Sequence, residues 1–413
     1  MMSEQMVIVG GGQAGARAAQ TLRAQGWRGG VAIVSKEEHL PYERPPLSKD
    51  VLLNGRSLQD CLIHPPEFYA QHAITLHLAT EAVMIDRPAQ RLLLSTGEGL
   101  PYRRLLLAMG ARPRKLSVPG AETTNIIHLR TMADAMCISN HLLALHRCVV
   151  IGGGLIGLEV AASARRLGCE VYVVEATAHL LGRAVPKEMA DRLHARHVEA
   201  GVQFILGAQV ERMERFKLET HVHLNSGVRL PCDVVIVGIG AAPITELAGK
   251  SGLAVDDGVL VDTTLRTEDP AIYAAGDACR YLDPALKGLV RQENWKNAEE
   301  QGRVAARNML GAQESYTATP WFWSDQYELT LQVAGVPSLG TWTVERRLGS
   351  DSFVVFHMLE DGRIAGVSSL GVGNAAARDV RLGQVFMLQQ LRPDPVALRE
   401  TKNLKSILHP AMH

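Results

Sequence analysis

At 413 residues the chain is too long for one hydrophobic core, so two or three domains are expected. Its 43 lysines and arginines balance 43 aspartates and glutamates, leaving no net field to recruit nucleic acid or an anionic membrane. No apolar run approaches the roughly 18 to 20 residues of a membrane-crossing helix, and residues 1–5 lack the basic flank and cleavage pattern of a secretion signal, so a cytoplasmic protein is expected.

The chain opens on MVIVGGGQAG, residues 6–15: four apolar residues run into Gly10, Gly12 and Gly15, and an alanine-rich helical stretch follows. This is the strand–turn–helix start of a dinucleotide fold. Gly10 permits the tight turn, Gly12 lets backbone amides approach a pyrophosphate, and Gly15 lets helix and strand pack closely. A second strand, 31–34, leads to Lys36 and Glu37, and either stands where a ribose-binding carboxylate is expected. Residues 41–49, PYERPPLSK, then interrupt regular structure. Two adjacent prolines fix the backbone and hold Arg44 and Lys49 stiffly, which suits a lysine placed beside a redox ring. Strands at 91–94 and 105–109 follow, the latter ending at Gly110 where the chain leaves one domain for the next.

The opening signature recurs at 148–157, CVVIGGGLIG, with Gly152, Gly154 and Gly157 at the same spacing, so the chain carries two dinucleotide sites. A helix over 158–167 and a strand over 171–174 end in Glu175. A carboxylate there suits a free ribose 2′-hydroxyl and repels a 2′-phosphate, by about 4 kcal/mol per charge pair near 4 Å at an effective dielectric of 20, favouring NADH over NADPH. Arg183 lies within reach of a phosphate or ribose. The buried strand 233–240, ending at Gly238 and Gly240, marks the return crossing. A third strand, 272–277, closes on Gly276 and Asp277, whose carboxylate would face the ligand crevice and suits a ribityl hydroxyl. Residues 293–298 open a helix over 298–310. After Gly311 an aromatic cluster, 321–326 (WFWSDQ), precedes strands at 329–334, 341–345, 353–357 and 363–368 and a helix over 375–391, a separate α+β domain.

Six cysteines (Cys61, Cys137, Cys148, Cys169, Cys232, Cys279) form no C-x-x-C or C-x4-C pair and read as buried free thiols. Among 15 histidines there is no H-E-x-x-H. The pairs His194/His197 and His221/His223 lack a third ligand at metal spacing, and the first lies in a charged helical stretch that reads as solvated surface, so no metal is expected.

Taken together these motifs resemble the FAD-dependent pyridine nucleotide reductases, in particular the NADH:ferredoxin reductases of multicomponent Rieske aromatic-ring dioxygenases. The similarity runs over nearly the whole chain through residues 10–15, 41–49, 108–113, 129–131, 152–159, 238–243, 275–277 and 321–326. It implies an α/β fold with two Rossmann-like domains of the glutathione-reductase type, an FAD domain (1–110 and 238–316) interrupted by an NAD domain (111–237), and a C-terminal α+β domain (317–413) over the flavin. By the same resemblance non-covalent FAD would be held by Gly10, Gly12, Ala14, Gly15, Lys36 or Glu37, Arg44, Lys49, Ala82, Arg130, Asp277, Trp295 and Trp321. NADH would be held by Gly152, Gly154, Ile156, Gly157, Glu159, Glu175, Arg183 and Gly238. Lys49 and Glu159 would form the catalytic ion pair near the flavin N5, the lysine stabilising the reduced ring.

Two positions depart from the family pattern: Met109 replaces the usual threonine of an A-T-G turn, and Lys36 stands where an acidic ribose ligand is common. Neither removes a group the reaction needs. The implied partner is a small acidic Rieske-type [2Fe–2S] ferredoxin feeding a terminal dioxygenase, with Lys287, Arg291 and Lys296 as an expected basic dock. A disulfide reductase would need a cysteine pair, and a peroxidase or oxidase one cysteine, near Pro45-Pro46, where none stands. A rubredoxin or monodehydroascorbate reductase would differ only in acceptor. A flavin-containing signalling protein, a non-enzymatic class, would not be bleached by NADH.

Overall fold

The structure is a computed structural model that describes residues 4–123, 126–143, 146–182, 185–217, 219–283, 286 and 288–408. The chain folds as two compact units, each assembled from separated segments. One comprises Met1–Pro46, Arg56–Arg112 and Ala241–Ala318, the other Leu47–Gly55, Pro113–Gly240 and Thr319–His413. Residues 47–55 thus pack with the second unit, although they lie inside the stretch 1–110 that the sequence assigns to a single domain.

The first unit is built on a five-stranded parallel sheet in the spatial order Ile272–Ala274, Arg104–Leu107, Gln5–Val9, Gly30–Val34, Ile74–His77. Its strands are apolar on both faces, as a sheet covered on both sides requires, and Val7, Ile8, Ile33, Leu105, Leu106 and Ile272 are buried completely. The helix Gln13–Ala24 buries Ala14, Ala16, Ala18, Ala19 and Leu22. It crosses the helix Trp295–Met309 at Gly302, where an added Cβ would sit 2.4 Å from the Ala14 carbonyl oxygen. Two helix backbones meet there because neither carries a bulky side chain.

The second unit repeats the plan. Its parallel sheet runs Gln203–Leu206, Glu170–Glu175, Arg147–Ile151, Val234–Val237, Ile126–His128, with a helix Leu155–Arg166 after the central strand. The same unit holds a five-stranded antiparallel sheet, ordered Trp321–Gln326, Leu329–Gly335, Ile364–Val372, Phe353–Met358, Trp342–Arg347. Buried Arg346 ties the helices of this sheet together, its guanidinium donating to Asp379 at 2.7 Å and to the Leu398 and Arg399 carbonyls at 3.2 Å. No helix among the described residues is long and apolar enough to cross a membrane.

Two expectations are corrected. The aromatic cluster 321–326 is itself a strand, pairing residue for residue with Leu329–Gly335. Read with period two, WFWSDQ sends Phe322, Ser324 and Gln326 to one face and Trp321, Trp323 and Asp325 to the other. Residues 41–49 are also less irregular than two prolines suggest. Proline's fixed φ suits the first turn of a helix, so Pro45–Ser48 forms a 3-10 turn and Asp50–Asn54 a short helix after Lys49.

Candidate active site

The two glycine turns are near copies of one backbone device. In the first, Gly10 has φ +120° and donates its N–H to the Val34 carbonyl at 2.8 Å, while an added Cβ would lie 2.1 Å from the Ala108 carbonyl oxygen. In the second, Gly152 has φ +105° and donates to Val174 at 2.8 Å, and its Cβ would lie 2.4 Å from the Gly238 carbonyl oxygen. Gly15 and Gly157 let each helix lie on its own turn, since a Cβ would come within 2.0 and 2.1 Å of the Gly10 and Gly152 carbonyl oxygens. Neither helix has a capping side chain or an acidic residue in its first turn, so neither positive end is neutralised by a first-turn carboxylate of its own helix.

The first turn fits a dinucleotide. A Cβ on Gly12 would meet nothing within 4 Å, which leaves room for a phosphate against the helix amides. Both amide atoms of Gln13 are buried without a hydrogen-bond partner, and so is Nε2 of fully buried Gln301, whose Oε1 accepts the Gly276 N–H at 2.8 Å. Buried polar atoms left in that state are costly unless a ligand or water satisfies them. Glu37 turns inward: one oxygen accepts from Arg44 at 2.6 Å and the other from the Tyr42 hydroxyl at 2.5 Å. Burial works to lower the Arg44 guanidinium, yet the charges of Tyr42, Glu37 and Asp277 outweigh it and hold it above its ordinary value. Lys36 instead points to solvent and meets exposed Glu81 at 3.2 Å. Asp277 sits in the 3-10 turn Gly276–Ala278 beyond the sheet's end strand, half-buried Ala82 opens the strand Ala82–Asp86, and Trp295 opens its helix behind the Asn294 cap.

At the second turn Glu175 is tied to its own chain. Its Oε2 accepts the Gly153 N–H at 2.7 Å and its Oε1 the Thr177 N–H at 2.8 Å, which fixes the carboxylate at the strand end beside the turn. Gly154 caps the helix, and Ile156 in its first turn is exposed, an apolar surface next to the amides. Arg183 lies outside the described residues.

The second unit also gathers Lys49, Glu159, Ser48, Ser324 and Asp325. The Lys49 ammonium lies 3.0 Å from Asp325 and 3.4 Å from Glu159, and 5.7 Å from the centre of the Trp323 ring. Glu159, in the helix after the glycine turn, is 5% exposed and accepts from the Ser48 and Ser324 hydroxyls at 2.5 and 2.6 Å. Asp325 is fixed in turn by the Trp323 indole N–H at 3.1 Å and the Thr330 hydroxyl at 2.8 Å. One ammonium among two carboxylates leaves an excess negative charge. Burial pushes the Glu159 carboxyl up, against the pull of Lys49 and the two hydroxyls. Burial lowers Lys49, but the two carboxylates prevail and hold it above its ordinary value. Trp321 stacks on Trp323, ring centroids 5.1 Å apart. Asp325, Ser48 and Ser324 went unread in the sequence; strand alternation in WFWSDQ was the signal for two of them.

Other expected residues fare differently. Arg130 belongs to the second unit, where its backbone N–H donates to Asp134 at 3.1 Å. His197 is wholly buried rather than solvated, hydrogen-bonded to Gln326 at 2.8 Å, because the helix face that carries it is covered by the strand Trp321–Gln326. The expected basic dock is compensated: Arg291 pairs with Glu293 and with Asp257 at 3.3 Å, and Lys296 with Glu300 at 2.7 Å and Glu299 at 3.2 Å, while Lys287 lies outside the described residues. Five cysteines are buried and Cys137 is exposed, and no three histidines, cysteines or carboxylates among the described residues could share a metal ion.

Residues 4–302 match the pyridine nucleotide-disulphide oxidoreductase family, and residues 321–408 match the reductase C-terminal family. The chain is 39% identical over 410 residues to the ferredoxin–NAD(+) reductase component of the anthranilate 1,2-dioxygenase system of Burkholderia cepacia, covering 99% of this chain and all of that one. It is 38% identical over 333 residues to rubredoxin–NAD(+) reductase of Pseudomonas putida, covering 80% of this chain and 86% of the relative. Among solved structures, putidaredoxin reductase in its covalent complex with putidaredoxin superposes with a TM-score of 0.91 at 35% identity, over 99% of each chain.

Proposed function

The chain belongs to the pyridine nucleotide-disulphide oxidoreductase family, and from that premise we propose that it is the FAD-dependent reductase that carries electrons from NADH to a Rieske-type [2Fe–2S] ferredoxin of an aromatic-ring dioxygenase system. It works in the cytoplasm. The observation that carries this reading is the buried Lys49–Glu159 pair, set in the same unit as a glycine turn whose strand-end carboxylate suits NADH. No cysteine neighbours Pro45-Pro46 in the sequence to do thiol chemistry in their place, and Cys61, whose carbonyl accepts the Glu43 N–H at 2.8 Å, is buried.

Residues 1–110 and 238–316 form the FAD domain, 111–237 the NAD domain and 317–413 the C-terminal domain. Gly10, Gly12, Ala14 and Gly15 hold the FAD pyrophosphate against the helix amides; Glu37, kept in place by Arg44 and Tyr42, takes the adenosine ribose, and Asp277 the ribityl chain. Ala82, Arg130, Trp295 and Trp321 complete that set. Bound FAD would supply the means to accept a hydride, two electrons with a proton, and to pass the two electrons on singly. NADH, the substrate, lies on Gly152, Gly154 and Gly157 with Ile156 and Gly238 beneath it and its ribose on Glu175. Lys49 supplies a fixed cation, and Glu159 fixes the lysine and orients the carboxamide edge of the nicotinamide. Neither moves a proton in the hydride step.

The test is reduction of purified acceptors by NADH: a Rieske-type ferredoxin, a rubredoxin and monodehydroascorbate, the ferredoxin followed by the electron paramagnetic resonance of its reduced cluster. The ferredoxin is expected to show the highest kcat/KM. Faster reduction of rubredoxin or monodehydroascorbate would replace the acceptor. A bound flavin that NADH fails to bleach would end the enzymatic reading and favour a signalling flavoprotein.

A further inference from the structure

Behind the lysine–glutamate pair the second unit holds a line of polar side chains to which the proposed function assigns no part. His197 on the helix Lys187–Glu199 and Gln326 and Ser324 on the strand Trp321–Gln326 are all 1% exposed or less. The Tyr327 hydroxyl lies 3.3 Å from His197 Nδ1, and His197 Nε2 lies 2.8 Å from Gln326 Oε1. Gln326 Nε2 donates to Ser324 Oγ at 3.0 Å, and Ser324 Oγ donates to Glu159 Oε1 at 2.6 Å. We propose that Tyr327, His197, Gln326 and Ser324 form a one-way hydrogen-bond relay that keeps Glu159 ionised and aimed at Lys49, which makes them positioning residues for hydride transfer. The proposal rests on the reading of Lys49 and Glu159 as the catalytic pair.

The direction follows from counting donors. An ionised carboxylate only accepts, so Ser324 spends its single proton on Glu159. Its oxygen must then accept from Gln326, which turns the amide nitrogen toward the serine and the carbonyl toward His197. A carbonyl cannot donate, so His197 carries its proton on Nε2 and leaves Nδ1 to accept from Tyr327. The network thereby fixes an amide orientation and a tautomer that an isolated glutamine or histidine would leave open. Every donor points the same way, and each bond polarises the next toward the buried carboxylate.

The surroundings keep the relay neutral. Burial holds the His197 imidazole down to about 4, with Arg196 and His194 on its own helix adding to the effect and the Gln326 hydrogen bond opposing it. From the other elements, Phe204 stands edge-on with its ring 5.9 Å away, and Tyr327 faces the ring across the sheet turn. Around Tyr327 the charged groups are Arg196, paired with Glu328 at 2.6 Å, and Arg165 and Arg166. Around Glu159 they are Lys49 and, through Lys49, Asp325. Desolvation works against the Glu159 charge, so each charge-assisted donor it keeps has a direct bearing on its ionisation.

The experiment is stopped-flow reduction of the bound flavin by NADH across pH, using FAD-loaded parent, Glu159→Gln, Ser324→Ala and Gln326→Met proteins. Ser324→Ala is expected to slow reduction roughly tenfold, the loss of about one charge-assisted hydrogen bond, and Gln326→Met, which removes only neutral hydrogen bonds, by roughly threefold. They should also move the acid limb of the pH profile to higher pH while leaving the NADH dissociation constant in place. A purely structural role would leave that limb where it is. Glu159→Gln reducing as fast as the parent would sink the catalytic pair itself. A slow Glu159→Gln beside unshifted Ser324→Ala and Gln326→Met would sink the relay alone. Nitrogen-15 spectra of the FAD-loaded parent need no variant: they should show His197 neutral and protonated on Nε2 at pH 7. The Nδ1–H tautomer or an imidazolium there would overturn the relay.

Discussion

Acidification should weaken this fold in part through a well-defined buried side chain, His357. It lies on the strand Phe353–Met358, second from one edge of the antiparallel sheet, 6% exposed, with Nε2 3.1 Å from the Ser368 hydroxyl. Burial holds its imidazole down to about 4, against 6.5 in the unfolded chain. The folded protein thus binds the proton less readily than the unfolded one, so the stabilising effect is complete above pH 6.5 and lost as pH falls toward 4. Between pH 7 and pH 5 those two values give a loss of about 2 kcal/mol from this single group. Urea unfolding of FAD-loaded protein, followed by far-ultraviolet circular dichroism at pH 7, 6 and 5, measures it when parent is compared with His357→Gln, because every other titrating group is shared. The variant should lose about 2 kcal/mol less than the parent over that interval. Parallel pH dependences would refute the claim that His357 is buried uncharged.

The remaining predictions concern the crevice residues. Gly10→Ala should purify without flavin, since its Cβ would collide with the Ala108 carbonyl at 2.1 Å, whereas Gly152→Ala should keep flavin and raise KM for NADH. The flavin-to-protein ratio and steady-state kinetics decide, and flavin lost from Gly152→Ala instead would exchange the two sites. Glu175→Ala should narrow the preference for NADH over NADPH by about tenfold or more in kcat/KM, because a carboxylate near a 2′-phosphate is repulsive by several kcal/mol before solvent screening; an unchanged ratio would place the ribose elsewhere. Asp325→Asn should slow flavin reduction by NADH roughly tenfold with protein folding intact, as judged by circular dichroism.

The two dinucleotide folds were legible because their signal is local. An apolar strand, a glycine turn and a small-residue helix are contiguous in sequence, and the clash distances at Gly10 and Gly152 give the reason other residues do not serve there. Lys49 was legible in its proline-held stretch, but its pairing with Glu159 was legible only through resemblance, the two being 110 positions apart. Asp325 was missed because two tryptophans and a phenylalanine in WFWSDQ drew attention to rings, when the alternation of a strand would have put the aspartate beside Trp323. His197 was misread for a related reason: charged neighbours make its helix look solvated, while the face that carries the histidine is closed by a strand distant in sequence. Which of Lys36 and Glu37 turns inward was likewise open until Arg44 and Tyr42, both beyond the strand, were seen to hold Glu37.

The charge balance around Lys49 explains why one lysine is given two carboxylates. A Lys–Glu pair alone would carry no net charge. With Asp325 the group carries a net negative charge, held rigidly by Trp323, Thr330, Ser48 and Ser324 so that it need not reorganise. If Lys49 and Glu159 are the catalytic pair proposed above, loss of hydride from NADH would leave a positive charge on the nicotinamide ring, which a preorganised negative excess in the same unit would stabilise as it develops. On that proposal the same excess would favour retention of the oxidised product, so a cluster that sped the transfer would also slow release of NAD+. Half-exposed Asp325, at 42% against 5% for Glu159, allows water to moderate the second effect without disordering the pair that governs the first.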